Sequence, residues 1–290
     1  MFEDLRKLAT TVRKNALAMI YHAGSGHPGG TLSAVDILTY LYRSELRFGS
    51  DVREKNRDRF VLSKGHACPA LYAVWAEVGL LSKEKLKSFR KLNDDLQGHP
   101  ARSTTPRAEA STGSLAQGFS FAIGAALGLR HQAIQNRVYV MLGDGELQEG
   151  EIWEGAMFAG HYELDNLCAI IDYNKMQSDD LNQNIMTLEP LSDKWRAFNW
   201  HVREIDGHKF EEIAAAFHEA AMTKEKPTVI IAHTVKGKGV SYMEGSPAWH
   251  GSLLLSENDF RVALAELGCS KPEIEAYLAG VIPGTAKSNM

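Results

Sequence analysis

Four histidines of this 290-residue sequence share one kind of neighbourhood: His27 in Ser25-Gly26-His27-Pro28-Gly29-Gly30, His66 in Ser63-Lys64-Gly65-His66, His99 in Gln97-Gly98-His99-Pro100, and His250 in Trp249-His250-Gly251. Each occupies a glycine-containing loop after a periodic segment. A solvated turn accounts for any one of them taken alone. Together they suit a ligand whose hydroxyls gain and lose protons near neutral pH, and a sugar is such a ligand. Of the eleven histidines, His22, His131, His161, His201, His208 and His218 fall on helices, at helix ends or near strand starts, where a surface or satisfied imidazole is expected. No HxxxH, and no HxH with a partner cysteine, supports a zinc site.

A second constellation is Gly143-Asp144-Gly145 with Asn174. Mg²⁺ takes about six oxygens and leaves several to phosphate and water. Asp144 offers a carboxylate, Asn174 an amide oxygen and Met176 a backbone carbonyl, while Gly143 and Gly145 let the backbone approach a phosphate. A plain strand-turn with an aspartate cap explains an isolated Gly-Asp-Gly equally well. Asparagine at the end of the next apolar run is what favours a metal and a diphosphate.

Elements must bring these residues together. Val138–Leu142 and Leu167–Asp172 are apolar runs separated by a helical pattern, which makes a βαβ unit. Both strand ends then lie on one edge of a parallel sheet, so Asp144 and Asn174 converge across thirty positions. The spacing of Leu5, Leu8, Val12, Ala16 and Met19 predicts a helix over 3–22, and Thr31 or Ser33 caps a helix predicted over 34–46. A strand over 58–62 leads to a helix starting near Pro69, and 81–96 reads as a solvated helix pair. The turn from Ser111 to Gly118 opens a helix with a surface of small residues. Strands are predicted over 201–207 and 227–233 with a helix over 210–222 between them. A polar loop over 179–189 could fold over a diphosphate, and the Gly/Lys turn 234–239 suits an anion. Two helices and a loose tail near 276–290 complete the chain. The fold class is α/β: a doubly wound, mostly parallel sheet flanked by helices, in one domain over 1–290.

A formal charge of −4 gives no basic field, so neither nucleic acid nor a membrane is an expected partner. Cys68, Cys168 and Cys269 form no CxxC pair and read as thiols in a reducing, cytoplasmic setting. The N-terminus carries acids at Glu3 and Asp4 and lacks the layout of a leader. No apolar stretch approaches the length of a membrane span.

Gly-Asp-Gly followed by this asparagine resembles the thiamine diphosphate motif. The segment GDGELQEGEIWEGAMFAGHYELDNLCAIIDYN, together with SGHPGG, RDRFVLSKGH and AWHG, resembles transketolase over roughly residues 5–255. The resemblance implies a thiamine diphosphate-binding fold with Asp144, Asn174 and Met176 on Mg²⁺, for which Ca²⁺ or Mn²⁺ can substitute. It also implies cofactor contacts from His66, Gly143, Gly145, Glu146, Gln177, Lys236 and His250. The family's Thr-Gly-Pro-Leu-Gly-Gln-Gly turn meets the aminopyrimidine; Gly113, Ser114 and Leu115 occupy it in this sequence, with Ser114 replacing the proline and Ala116 a glycine. By the same resemblance His27 and His250 exchange protons at the hydroxyl beside the cleaved bond, His99 holds the terminal donor hydroxyl, and His66 lies between diphosphate and substrate. Glu149 is expected in a buried polar link to a partner subunit.

The implied reaction moves a two-carbon ketol unit from a ketose to an aldose, with sugar phosphates or related anionic sugars as substrates. The glutamate that protonates the aminopyrimidine and the arginines that grip the sugar phosphate belong, in the family, to further domains. The expectation is therefore the N-terminal subunit of a split transketolase, joined to a separate C-terminal subunit that carries the pyrimidine domain, as a heterotetramer with two of each chain. Decarboxylating thiamine enzymes, such as 1-deoxyxylulose-phosphate synthase or the 2-oxo acid dehydrogenase alpha chain, share Gly-Asp-Gly and asparagine but not the histidine motifs. A non-catalytic cofactor-binding subunit is the alternative outside enzymes.

Overall fold

The computed structural model describes residues 2–251 and 254–283. Five segments form its sheet: β1 Arg59–Leu62, β2 Val138–Gly143, β3 Leu167–Tyr173, β4 His201–Asp206 and β5 Thr228–His233. Their spatial order is β1-β2-β3-β5-β4, and every pairing is parallel. A strand covered on both faces has no reason to alternate polar and apolar residues, which explains the continuous apolar runs of β2, β3 and β5. At the edge, β4 exposes Arg203 and Glu204, charges that discourage further strand pairing.

The described helices are α1 Phe2–Ala23, α2 Pro28–Tyr40, α3 Cys68–Glu77, α4 Gln117–His131, α5 Gly150–His161, α6 Asn182–Ile185, α7 Leu191–Ala197, α8 Phe210–Met222, α9 Glu257–Glu266 and α10 Lys271–Leu278. Successive strand side chains point to opposite faces. Tyr139, Met141, Cys168, Ile170 and Ile230 therefore pack with α1, α2, α3 and α8. Val138, Val140, Leu142, Ala169, Ile171, Val229 and Ile231 pack with α4, α5 and α7 on the other side. This is the doubly wound α/β arrangement, in which the loops after the strands gather along the carboxyl edge. No described helix is long and apolar enough to cross a membrane.

Local departures from expectation have identifiable causes. The second helix starts at Pro28 rather than Ala34, because proline is already set for the first helical turn; His27 thus becomes its N-cap, while Thr31 and Ser33 are interior. Beyond Tyr40 the helix widens into a π turn over Leu41–Glu45. Residues 81–96 do not form a helix pair. A 3-10 turn over Lys83–Ser88 is followed by left-handed residues at Arg90 (φ 58°) and Asn93 (φ 63°), which no α-helix accepts. Leu86, Phe89 and Leu96 are buried, so this segment is packed down rather than solvated. Ala116 (φ 73°) delays α4 to Gln117. The expected loose tail is helical as far as Leu278, and 284–290 lie outside the described residues.

Candidate active site

The four loop histidines meet. His27 caps α2, His66 lies in the turn Gly65–Ala67 between β1 and α3, and His250 follows the turn Pro247–Trp249. Ring centroids of His27 stand 5.2 Å from His66, 5.9 Å from His250 and 6.2 Å from His99, and His66 is 5.5 Å from His250. Glycines permit this crowding: a Cβ on Gly251 would lie 2.5 Å from His27 Cδ2, and one on Gly30 3.1 Å from His66 Nε2.

Burial and fixed cations keep the rings neutral. The His27 pKa falls to about 4, first through burial and then through Arg90, His99, Lys236 and Lys64. That of His250 falls to about 3 through burial, Lys236, His27 and Lys64. Burial followed by Lys64 takes His66 well below its ordinary range, and burial followed by Arg90 lowers His99. At neutral pH these imidazoles therefore retain lone pairs for hydroxyl protons. The His27 Nδ1 atom is buried with no partner among the described residues. Lys236, lowered by burial to about 8, donates from Nζ to the Gln177 carbonyl at 2.8 Å and lies 2.7 Å from His250 Nδ1.

The same cleft, about 230 Å³ in volume, reaches the ends of β2 and β3. Asp144 is buried; its Oδ1 accepts from Gly145 N (2.9 Å), and its Oδ2 accepts from Lys175 N (2.6 Å) and Asn182 Nδ2 (3.0 Å). Burial and then the nearby Asp172 charge raise its pKa to about 6. Asn182 Oδ1 and Gln177 Nε2 are buried without partners among the described residues. A carboxylate destabilised by burial beside amide and carbonyl oxygens fits a hard cation, and the unpaired Gln177 donor fits an anion next to it. No group of three or more His, Cys, Asp or Glu side chains among the described residues could hold a metal. Any cation at Asp144 would therefore rely on amide, carbonyl and ligand oxygens.

Residues 5–278 match the family model described as transketolase, thiamine diphosphate binding domain. The chain belongs to the transketolase family. It is 45% identical to SqwG of Clostridium sp. (strain MSTE9), a 6-deoxy-6-sulfo-D-fructose transketolase subunit, over 91% of this chain and 96% of that one. It is 41% identical to one of the named subunits of the apulose-4-phosphate transketolase from Phocaeicola vulgatus, over 88% and 91% respectively. Transketolase from Leishmania mexicana superposes with a TM-score of 0.87 at 31% identity, covering 96% of this chain and 44% of its own. The present chain is thus a component of a transketolase, a transferase, and it binds thiamine diphosphate; it spans less than half of that longer transketolase chain.

Within this transketolase component the cleft is lined by His27, His66, His99, Gly113, Leu115, Gly143, Asp144, Gly145, Glu146, Asn174, Met176, Gln177, Lys236 and His250. Two residues expected with them do not line the cleft of this chain: Ser114, exposed between Gly113 and Leu115, and Glu149, exposed where α5 begins and so open to a second chain. Glu146 is the buried acid of that segment: it accepts from Ala116 N (2.8 Å), Gly143 N (2.9 Å) and Ser63 Oγ, and so braces three loops against one another.

Gly30, Lys64 and Ser178 also line the cleft, although sequence reasoning did not single them out. Lys64 is buried and paired with Asp172, which also accepts from Ser33 Oγ (2.6 Å) and Thr234 Oγ1. Burial pushes the Asp172 carboxyl up, but Lys64 and these hydrogen bonds outweigh it and hold the group below its usual range. The signals that could have found the pair are the lysine inside LSKGH and a lone aspartate closing an otherwise apolar run.

Proposed function

We propose that this chain is the diphosphate-binding subunit of a thiamine diphosphate- and Mg²⁺-dependent transketolase, and that it moves a two-carbon ketol unit from a ketose to an aldose. It works with a separate chain carrying the pyrimidine domain, two of each per assembly, in the cytoplasm. The observation that carries this reading is the convergence of His27, His66, His99 and His250 on the cleft that Asp144, Asn174 and Met176 also line. The names of two relatives, both called subunits, specify a sulfonated fructose and a sugar phosphate, which favours an anionic sugar and a second chain.

In this reading Asp144 and Asn174 side chains and the Met176 carbonyl hold the cation, with Gly143, Gly145 and Gln177 near the diphosphate. Thiamine diphosphate supplies, when bound, the electron sink for cleavage beside a carbonyl. The protein's own contribution is orientation and proton handling. His27 and His250 exchange a proton with the hydroxyl beside the breaking bond, His99 holds the terminal donor hydroxyl, and His66 stands between diphosphate and sugar. Their depressed pKa values favour neutral rings, which can accept those protons.

Reconstitution with the partner chain tests the reading. Asp144→Ala is expected to abolish Mg²⁺-dependent cofactor binding by calorimetry. His99→Ala is expected to keep that binding and to lower ketol transfer by about 10²-fold, the scale of a lost substrate-positioning contact. Wild-type turnover in His99→Ala, or pyruvate decarboxylation without ketol transfer, would overturn it.

A further inference from the structure

Arg90 stands behind two of the histidine loops. Its backbone N–H donates to Leu96 O at 2.8 Å, and its φ of 58° is a left-handed conformation unfavourable for a residue with a Cβ. The guanidinium Nη1 donates to Ser25 Oγ at 2.8 Å, two residues before His27. The same group covers Gly98, immediately before His99, so closely that a Cβ there would lie 2.7 Å from Nε. Nε itself is buried with no acceptor among the described residues. Arg90 is half-buried as a whole, and the buried arginines differ from it: Arg13 is paired with Asp36 and Arg57 with Glu109. Among the described residues no carboxylate pairs with Arg90. An unneutralised guanidinium makes a second positive charge nearby unfavourable.

We propose that Arg90 is a positioning residue for the transfer reaction: it fixes the His27 loop against the His99 loop, and its standing charge keeps both imidazoles from taking a proton from solvent. The inference rests on the assignment of His27 and His99 to the reaction. The other groups facing His27 are the imidazoles of His66, His99 and His250 and the ammonium groups of Lys64 and Lys236. After burial, Arg90 leads the charges acting on His27 and is the charge acting on His99. A single side chain therefore couples the geometry of the pair to its protonation.

Histidine titrations followed by NMR on the full chain, together with the pH profile of kcat/KM in the assembled enzyme, test this. Arg90→Gln keeps a hydrogen-bonding end for Ser25 and removes the charge; Arg90→Met is the second neutral variant. In either, the His27 and His99 midpoints are expected to rise, His27 from about 4, and the acid limb of kcat/KM to move up with them. Arg90→Lys is expected to leave both midpoints low. Unchanged midpoints in the neutral variants, or an equal rise in Arg90→Lys, would overturn the role of Arg90 and leave the histidine assignments standing. Midpoints that rise while the acid limb stays fixed would overturn those assignments instead.

Discussion

A methyl group at Gly251 would lie 2.5 Å from His27 Cδ2 and 2.7 Å from its Nε2, well inside van der Waals contact. The Gly251 backbone lies outside the left-handed region, so alanine meets no dihedral penalty and the imidazole must give way. Gly251→Ala is therefore expected to lower kcat/KM of the assembled enzyme by about 10²-fold, the usual consequence of moving a reacting group by about 1 Å. The unfolding midpoint of the chain should stay close to wild type, because the clash is with a ring facing the cleft; an active variant would show that His27 placement is not limiting. At this scale the four histidines were legible because glycine and proline mark their loops. Lys64 and Arg90 were not: Arg90 lies in a segment that reads as solvated, and Asp172, the partner of Lys64, is 108 positions away. A residue type advertises its chemistry more readily than its counterion.

Among the elements, β2, β3 and β5 were legible because burial on both faces leaves a continuous apolar run. The start of α2 and the course of 81–96 were not, since both depend on backbone choices at Pro28, Arg90 and Asn93 that hydrophobic spacing does not encode. What ties the sheet to α2 is also invisible in a pattern of apolar residues. Asp172 on β3 receives Lys64 from the end of β1, Ser33 from α2 and Thr234 after β5. Asp172→Asn leaves the Lys64 ammonium buried without its counter-charge, and breaking a buried pair from one side costs about 3–5 kcal/mol. A loss of that size is expected in urea unfolding of the chain. Lys64→Met combined with Asp172→Leu, which removes both charges, should recover more than half of it. A single substitution costing less than about 1 kcal/mol would mean that the pair does not hold these elements together.

For the whole molecule, the cleft holds the histidines and the Asp144 edge, yet the chain spans less than half of a longer transketolase that shares its fold. If the rest of the machinery comes from a second chain, docking and chemistry are separable properties of this one. His99 is on the cleft wall, and its truncation removes a ring while leaving Asp144, Asn174 and Met176 in place. The purified wild-type chain is therefore expected to transfer no ketol unit alone and to gain activity that saturates as partner is added. His99→Ala chain should then compete for a limiting partner with undiminished affinity. At tenfold excess over wild type it should leave about one tenth of the activity, as mass action requires for equal binding. Activity of the isolated wild-type chain would refute the two-chain assembly. Absence of competition by a folded His99→Ala chain would instead mean that the histidine wall takes part in docking as well as in catalysis.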